Sequence, residues 1–288
     1  MKKRRLLLVI AASLAAAFFI YFYTSTPQVK ETITFFPLDK TASFTTAETK
    51  LSLLDEKDND EYVVKWTIDS ESNKKAYLRQ DIGLVYSDGI LIDTMGKWVE
   101  DTTTLHQKKK IKGEDSSHLS AISLHHAEIH YPDDVIKSQQ VMSSDQIYVI
   151  DSPLHPLESF KQAKTPEEKE WKATLDRATE QALKYSWTRL IDYYNIPVKK
   201  YKLIPLTSLP AYSEKPLPGK TEEESARILG QLWEGLYKNY YLGIKKEDGT
   251  TVSPLGSTIP LILFGDTHLI VLIEDTNGNP TQLIQYFS

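Results

Sequence analysis

The chain has 288 residues, of which 41% are hydrophobic and 25% charged, so it is long enough to bury a substantial core. Its formal charge is −5, and it becomes −9 when the four basic residues at positions 2–5 are left out. This acidic balance disfavours nucleic acid as a partner, because phosphate binding depends on Lys and Arg. There is no cysteine, which excludes disulfides, thiolate metal sites and a cysteine nucleophile.

The strongest local signal is the apolar run 6–23, LLLVIAASLAAAFFIYFY, with 18 residues and no charge, Pro or Gly. As a helix it measures about 27 Å, close to the ~30 Å hydrocarbon core of a bilayer. Basic residues precede the run, and the next one is Lys30, so the N-terminus is predicted to be cytoplasmic. The sequence thus predicts a single-pass protein of the cell membrane, with a cytoplasmic tail at 1–5, a transmembrane anchor at 6–23 and a tether at 24–30.

A cleaved signal peptide is the alternative interpretation of this run. Signal peptides have a shorter apolar core, of ~7–15 residues, followed by a cleavage site with small residues. Here the small cluster Ala15–Ala17 lies inside the run and is followed by six large apolar residues. A retained anchor is therefore favoured, and an anchored, cysteine-free extracytoplasmic domain suggests a protein of the bacterial envelope.

Residues 31–150 predict a β-rich extracytoplasmic domain or subdomain. Tyr62, Val64, Trp66 and Ile68 alternate with Val63, Lys65 and Thr67, as in a strand with one buried face. A second hairpin is predicted to turn at 87–89, where Gly89 supplies a positive φ. The polar, basic segment 102–112 is expected to be an exposed edge strand. The predicted strands are 33–36, 50–54, 61–68, 82–86, 90–93, 102–112, 118–131 and 146–150.

Residues 151–288 predict an α+β domain or subdomain. Its first segment, 151–160, contains Pro153 and Pro156 and is expected to lack regular structure. Thr165-Pro166-Glu167-Glu168 then has the pattern of a capping box with Pro at the first helical position. The helix that follows is expected to end near Asn195. Its buried stripe is predicted to comprise Trp171, Leu175, Ala178, Ala182, Leu183, Leu190, Ile191 and Tyr194.

A proline-rich connector at 196–220 leads to a second capping signature at Thr221–Glu224 and a helix stopped by Gly243. Its apolar face contains Ile228, Leu229, Leu232, Trp233, Leu236 and Tyr240. Strands at 259–264, 268–274 and 281–287 follow, and their short turns predict an antiparallel meander whose central strand carries the apolar run 269–273. The expected fold class is therefore α+β, with a transmembrane helix, a β-rich half, and a half in which two amphipathic helices pack on the meander.

The histidine-rich strand 124–130 is the best candidate for a metal site. Side chains alternate along a strand, so His126, Glu128 and His130 are predicted to share one face. Two imidazoles and a carboxylate are a donor set for zinc or iron, which is consistent with a metal-dependent hydrolase. A plain polar sheet face and a pH-sensitive contact surface remain as alternatives.

Three aromatic residues of the second helix, Trp233, Tyr237 and Tyr241, are candidates for lining a binding groove, although aromatic residues at helical spacing more often belong to core and rim packing. The turn 275–279 superficially resembles a calcium loop but has Pro280 where such a loop needs Gly. The sequence contains no phosphate-binding Gly loop, HExxH helix or GxSxG elbow.

These observations favour a non-enzymatic binding or scaffolding protein on the outer face of the membrane, with an envelope protein or wall component as partner. No cofactor is expected, and zinc or iron is the alternative. Two other functions remain open. One is the metal-dependent hydrolase using the His126–Glu128–His130 strand. The other is an extracytoplasmic sensor or regulator acting through a membrane partner, since the cytoplasmic tail is too short for an output domain.

Overall fold

The structure is a computed structural model that describes residues 33–58, 61–153, 155–213, 215–246 and 248–287. The predicted cytoplasmic tail, membrane anchor and tether lie outside these residues. In the part of the chain that is described, no helix combines the length and the apolar character needed to cross a membrane.

Six strands form a sheet that we name the curled sheet. Its strands are β1 (Phe44–Asp58), β2 (Glu61–Ser87), β3 (Ile90–Gly113), β4 (Ser117–His130), β5 (Ile136–Ser152) and β6 (His155–Phe160). The order is β1-β2-β4-β5-β6, with β3 paired to β2, and all the paired strands are antiparallel. Strand β3 pairs only with β2 among the described strands, so the edge strand predicted at 102–112 is confirmed.

The sheet curls because the long strand β2 has different neighbours along its length. Its first half pairs with β1 and its second half with β4. The register between β2 and β3 shifts between Glu71 and Ala76, which marks a bulge at the bend. Side chains from β1 to β5 consequently share one apolar cluster inside the curl, and we call this side the inner face.

Two predicted hairpins are confirmed, but the strands between them were interpreted wrongly. Residues 61–68 and 82–86 belong to one strand of 27 residues instead of two. The intervening segment is polar, and its Ser70, Ser72 and Arg79 face a buried polar network rather than solvent. Polarity alone therefore suggested a loop where a strand continues. The turn at Asp88–Gly89 has positive φ values, 48° and 85°, as predicted.

The expectation that 151–160 lacks regular structure is wrong. Residues His155–Phe160 form β6, which pairs with β5. Strand β6 lies at the edge of the curled sheet, and a proline is tolerated there because its missing N–H need not join a ladder.

Both helices begin where predicted. Helix α1 (Pro166–Tyr193) is capped by Thr165 and Glu168, and α2 (Glu222–Leu236) is capped by Thr221 and Glu224; each pair forms a complete capping box. Helix α2 ends at Leu236, and a π-helical turn, Tyr237–Tyr241, lies between it and Gly243.

A second sheet, the C-terminal sheet, has the order β12-β11-β10-β7. Its strands are β7 (Lys202–Pro205), β10 (Leu261–Phe264), β11 (His268–Glu274) and β12 (Pro280–Tyr286), and a separate hairpin comprises β8 (Ile244–Lys245) and β9 (Thr251–Val252). The predicted meander with β11 inside the sheet is confirmed, and the proline-rich connector contributes β7 at one edge.

Residues Ile33–Ser288 form one compact unit. The largest apolar cluster joins the outer face of the curled sheet to α2 and the C-terminal sheet, through residues such as Leu84, Leu124, Leu232 and Val271. The coarse α+β class is thus correct, and the β-rich and helical halves share a core across the proposed boundary at residue 150.

Candidate functional site

Helix α1 crosses from one sheet to the other and is attached mainly near its two ends. Near the start, Trp171 and Leu175 pack on a cluster of Tyr148, Ile150 and Phe160. Near the end, Leu190 packs on the C-terminal sheet. Between these contacts Ala178 and Ala182 are exposed, so the predicted buried stripe is wrong at these two positions. Leu183 is buried in the core cluster that includes residues of the curled sheet, and the stretch of α1 before it leaves a space over that sheet.

That space is a cavity of about 920 Å³, which we call the α1 cleft. Its helix side runs from Lys172 to Trp187, a length of about 22 Å at ~1.5 Å per residue. Leu183 and Trp187 make one end apolar, whereas the other end is charged. The charged end contains Asp145, Lys161, Lys172 and Asp176.

The charged end is built on a stack of three rings. His118 stacks on Tyr148 with ring centroids 4.2 Å apart, and Tyr148 stacks on Phe160 at 5.2 Å. The Tyr148 hydroxyl donates to Asp176 Oδ1 at 2.8 Å, and Asp176 also pairs with Lys172. Burial lowers the pKa of His118 and raises the pKa of Tyr148, while the hydrogen bond to Asp176 raises the pKa of Lys172. The stack thus presents a neutral imidazole and a neutral phenol at neutral pH.

Two ion pairs lie in the α1 cleft, and its other two charged residues, Glu180 and Lys184, are also of opposite sign. Asp145 binds Lys161 and also accepts the N–H of Leu51 at 2.7 Å. With Lys172 paired to Asp176, the lining offers balanced charges instead of a strong potential of one sign. Thr179 lines the cleft, and its hydroxyl oxygen is buried with no hydrogen-bond partner among the described residues.

A second cavity, of about 840 Å³, lies between residues 35–42, β5 and α2, and Trp233 lines it. The other two aromatic residues predicted to bind, Tyr237 and Tyr241, are stacked at 5.3 Å and do not line this cavity. Trp233 and Tyr237 are 1% and 5% exposed, and burial raises the pKa of Tyr241 to about 12. Their binding role stays a prediction, and their surroundings are those of core residues.

The three predicted metal ligands are not gathered at one point. His126 is 1% exposed, and neither of its ring nitrogens has a hydrogen-bond partner in the described structure. Glu128 and His130 bind each other, and His130 stacks on Tyr77 at 4.0 Å. Within the residues that the structure covers, no group of three or more His, Cys, Asp or Glu side chains is placed to hold a metal ion. The metal site stays a prediction without support from this arrangement.

On the opposite face of β4, His125 belongs to a buried hydrogen-bonded chain that we call the polar chain. His125 Nδ1 lies 2.9 Å from Asp81 Oδ2, and His125 Nε2 lies 2.7 Å from Ser143 Oγ. Ser143 Oγ is also 2.7 Å from Thr49 Oγ1. Asp81 is fixed further by Ser70 and by Arg79, whose Nη2 is 3.4 Å away. This chain connects β1, β2, β4 and β5 inside the curled sheet.

The sequence interpretation missed the α1 cleft and the polar chain for the same reason. Asp81, His125 and Ser143 are on three strands, and no local motif joins them. The alternation along β4 correctly separated His125 from His126, but the register of β2 and β5 against β4 decides which side chains meet. A correct prediction of the strand pairing would have placed Asp81, His125 and Ser143 together.

Comparison of the chain with protein-family models, curated proteins and solved structures finds no match.

Proposed function

We propose that this chain is a single-pass, membrane-anchored extracytoplasmic protein of the bacterial envelope that binds a partner in the α1 cleft. The apolar run 6–23 and the basic residues before it support the anchor and its orientation. The cleft carries the binding proposal, because it is large, lies between α1 and the curled sheet, and has an apolar end and a charged end.

The lining of the cleft favours a segment of a partner protein. A cleft of about 22 Å accommodates six or seven residues of extended peptide, which rise ~3.3 Å each. Its apolar end, near Leu183 and Trp187, suits an apolar side chain, and its paired charges suit the mixed charges of a polypeptide better than a uniformly charged polymer. The partner is thus an envelope protein that offers a short, exposed segment.

A photo-crosslinking experiment tests this function in intact cells. A photoreactive phenylalanine is placed at Thr179, which lines the cleft, or at the neighbouring Ala178, which is exposed and does not line it. We expect a crosslinked product of one defined mass from position 179 and none from position 178. A synthetic peptide of the crosslinked segment should then bind the purified full-length protein, and Thr179→Trp should abolish binding while Ala178→Trp preserves it.

The absence of a product at position 179, or equal products at both positions, would contradict the proposal. The orientation has its own measurement. Protease added to cells without their wall should remove a C-terminal epitope tag, and protection of that tag would contradict an extracytoplasmic domain.

A further inference from the structure

The polar chain has the connectivity of an activated serine. A serine nucleophile needs a base within hydrogen-bond distance of its hydroxyl, and that base needs a third group to orient it. Ser143, His125 and Asp81 satisfy both requirements, at 2.7 and 2.9 Å. The same three residue types also occur in polar networks that only stabilise a fold. The orientation of the side chains, the exposure of the serine and a nearby backbone donor distinguish a catalytic site from such a network.

Strand register holds the three side chains on the inner face. Asp81 is directly opposite His125 on neighbouring strands, and Ser143 is opposite Ser123, two residues from His125. The acceptor Asp81 Oδ2 fixes the proton of His125 on Nδ1, so Nε2 is an acceptor for the Ser143 hydroxyl. Thr49 Oγ1, which donates to Ser123, is the other acceptor within reach of that hydroxyl. Asp81 is itself fixed by Ser70 and Arg79, so the imidazole is held in one orientation.

The nucleophile is more accessible than its partners. Asp81 and His125 are fully buried, whereas Ser143 is half-buried. Strand β1 runs beside Ser143 but forms no backbone ladder with β5, and the two are joined through side chains such as Thr49. Two residues further along β5, and about 7 Å away, Asp145 shares the face of Ser143 and lines the α1 cleft.

A backbone donor for a developing oxyanion is next to the serine. Ser138 donates its N–H to Pro37 O at 3.0 Å, and Met142 donates its N–H to Ser213 Oγ at 3.4 Å, so even-numbered N–H groups of β5 point away from β4. The same alternation directs the N–H of Ser144 toward the gap beside β1. An N–H of the residue after the nucleophile is a common component of oxyanion holes.

We propose that Ser143 is a nucleophile toward carboxylic esters, with His125 as its general base and Asp81 as a positioning residue. Ser143 Oγ forms a bond to the acyl carbon while its proton moves to His125 Nε2. The C–O bond to the alcohol then breaks, and the alcohol leaves with that proton. Water attacks the acyl-serine, its proton passes through His125 to Ser143 Oγ, and a carboxylic acid is released. This proposal is independent of peptide binding in the α1 cleft, and either can fail alone.

The test treats the full-length protein in detergent micelles with a fluorophosphonate, which phosphonylates activated serines and releases fluoride. We expect one adduct, located at Ser143 by peptide mass spectrometry. In His125→Asn the labelling rate should fall by about 100-fold or more, the usual contribution of a general base. Ser159→Ala, at an exposed serine of β6 outside the site, should label at the wild-type rate.

Labelling of the wild-type protein requires no variant, so an unfolded variant cannot obscure the result. An unmodified Ser143 after complete reaction of a known serine hydrolase in the same tube would overturn the proposal. A Ser143 adduct that forms equally fast in folded His125→Asn would also overturn it, because the serine would then react without its base.

Discussion

His126 is a buried polar residue whose ring is not stabilised by hydrogen bonds in the described structure. Its ring is 1% exposed, and both nitrogens lack a hydrogen-bond partner in the described structure, as does the Oε1 atom of Gln80 directly opposite it on β2. Burial, with a smaller contribution from the charge of Arg79, lowers the pKa of His126 to about 4. The ring is therefore held neutral, and its protonation must weaken the folded state.

We expect the protein to lose stability in mild acid, with His126 as a main contributor. The pKa of His126 is about 4 in the folded state and ordinarily ~6.5 in the unfolded chain, so the neutral ring favours folding fully above pH ~6.5. This contribution disappears as the pH falls from ~6.5 toward about 4, and it amounts to ~3 kcal/mol. The measurement is the free energy of unfolding by urea across this pH range.

The variant His126→Leu should flatten that pH dependence, because it removes the titrating ring and two polar atoms that have no partner. At pH 5 it should be more stable than the wild type, and the difference should shrink at pH 8. His155→Leu, at an exposed histidine, is the matched control and should keep the wild-type slope. An unchanged slope in His126→Leu would contradict the assignment.

At the residue scale, the sequence predicted which side chains share one face of a strand. It could not predict which of those side chains contact each other. The pattern correctly put His126, Glu128 and His130 on the face opposite to His125. It could not show that Glu128 and His130 would bind each other while His126 lay buried. Those outcomes depend on which distant segments cover each face.

At the element scale, helix α2 contains two glycines with opposite surroundings. A Cβ added to Gly230 would meet the ring of Phe35, and it would also lie 2.9 Å from the Gln140 amide. A Cβ added to Gly235 would meet nothing within 4 Å. The two positions are in one helix, so their intrinsic helix propensities are nearly equal and only the packing differs.

Gly230→Ala and Gly235→Ala should change stability in opposite directions. Alanine favours a helix over glycine by about 0.5–1 kcal/mol, so Gly235→Ala should raise the melting temperature. At Gly230 that gain is outweighed by overpacking against Phe35, which typically costs ~1–3 kcal/mol. Thermal unfolding of both variants is the measurement, and a stabilised Gly230→Ala would mean that Phe35 does not pack on α2.

Elements were predictable where their signals are local. Both capping boxes, at Thr165–Glu168 and Thr221–Glu224, depend on residues three apart and were located correctly. The continuous strand β2 was not predictable, because its polar middle segment is buried by partners far along the chain, including Thr103 O, which accepts from Arg79. In a sequence, a strand with polar residues that are buried in a hydrogen-bonded network cannot be distinguished from a polar loop until the partners of those residues are known.

At the scale of the whole molecule, the helical half completes the core of the β-rich half. The outer face of the curled sheet contributes Leu84 and Leu124 to the same cluster as Leu232 of α2 and Val271 of β11. Neither half can expose this face without losing a large apolar contact area, whose burial stabilises folding by ~25 cal/mol per Å². The two halves should therefore unfold together.

We expect one cooperative transition for the full-length protein, although the sequence changes character near residue 150. Leu51→Ala alters a cluster whose buried members all lie in the first half, and Leu263→Ala alters one whose buried members all lie in the second. Each truncation should cost ~2–5 kcal/mol, and each should shift the unfolding midpoint of both halves equally. Hydrogen exchange followed by mass spectrometry in increasing urea reports on both halves in one sample. If Leu51→Ala lowered the midpoint only for peptides before residue 150, the halves would be separate folding units, and the shared cluster would be a contact between two independent domains.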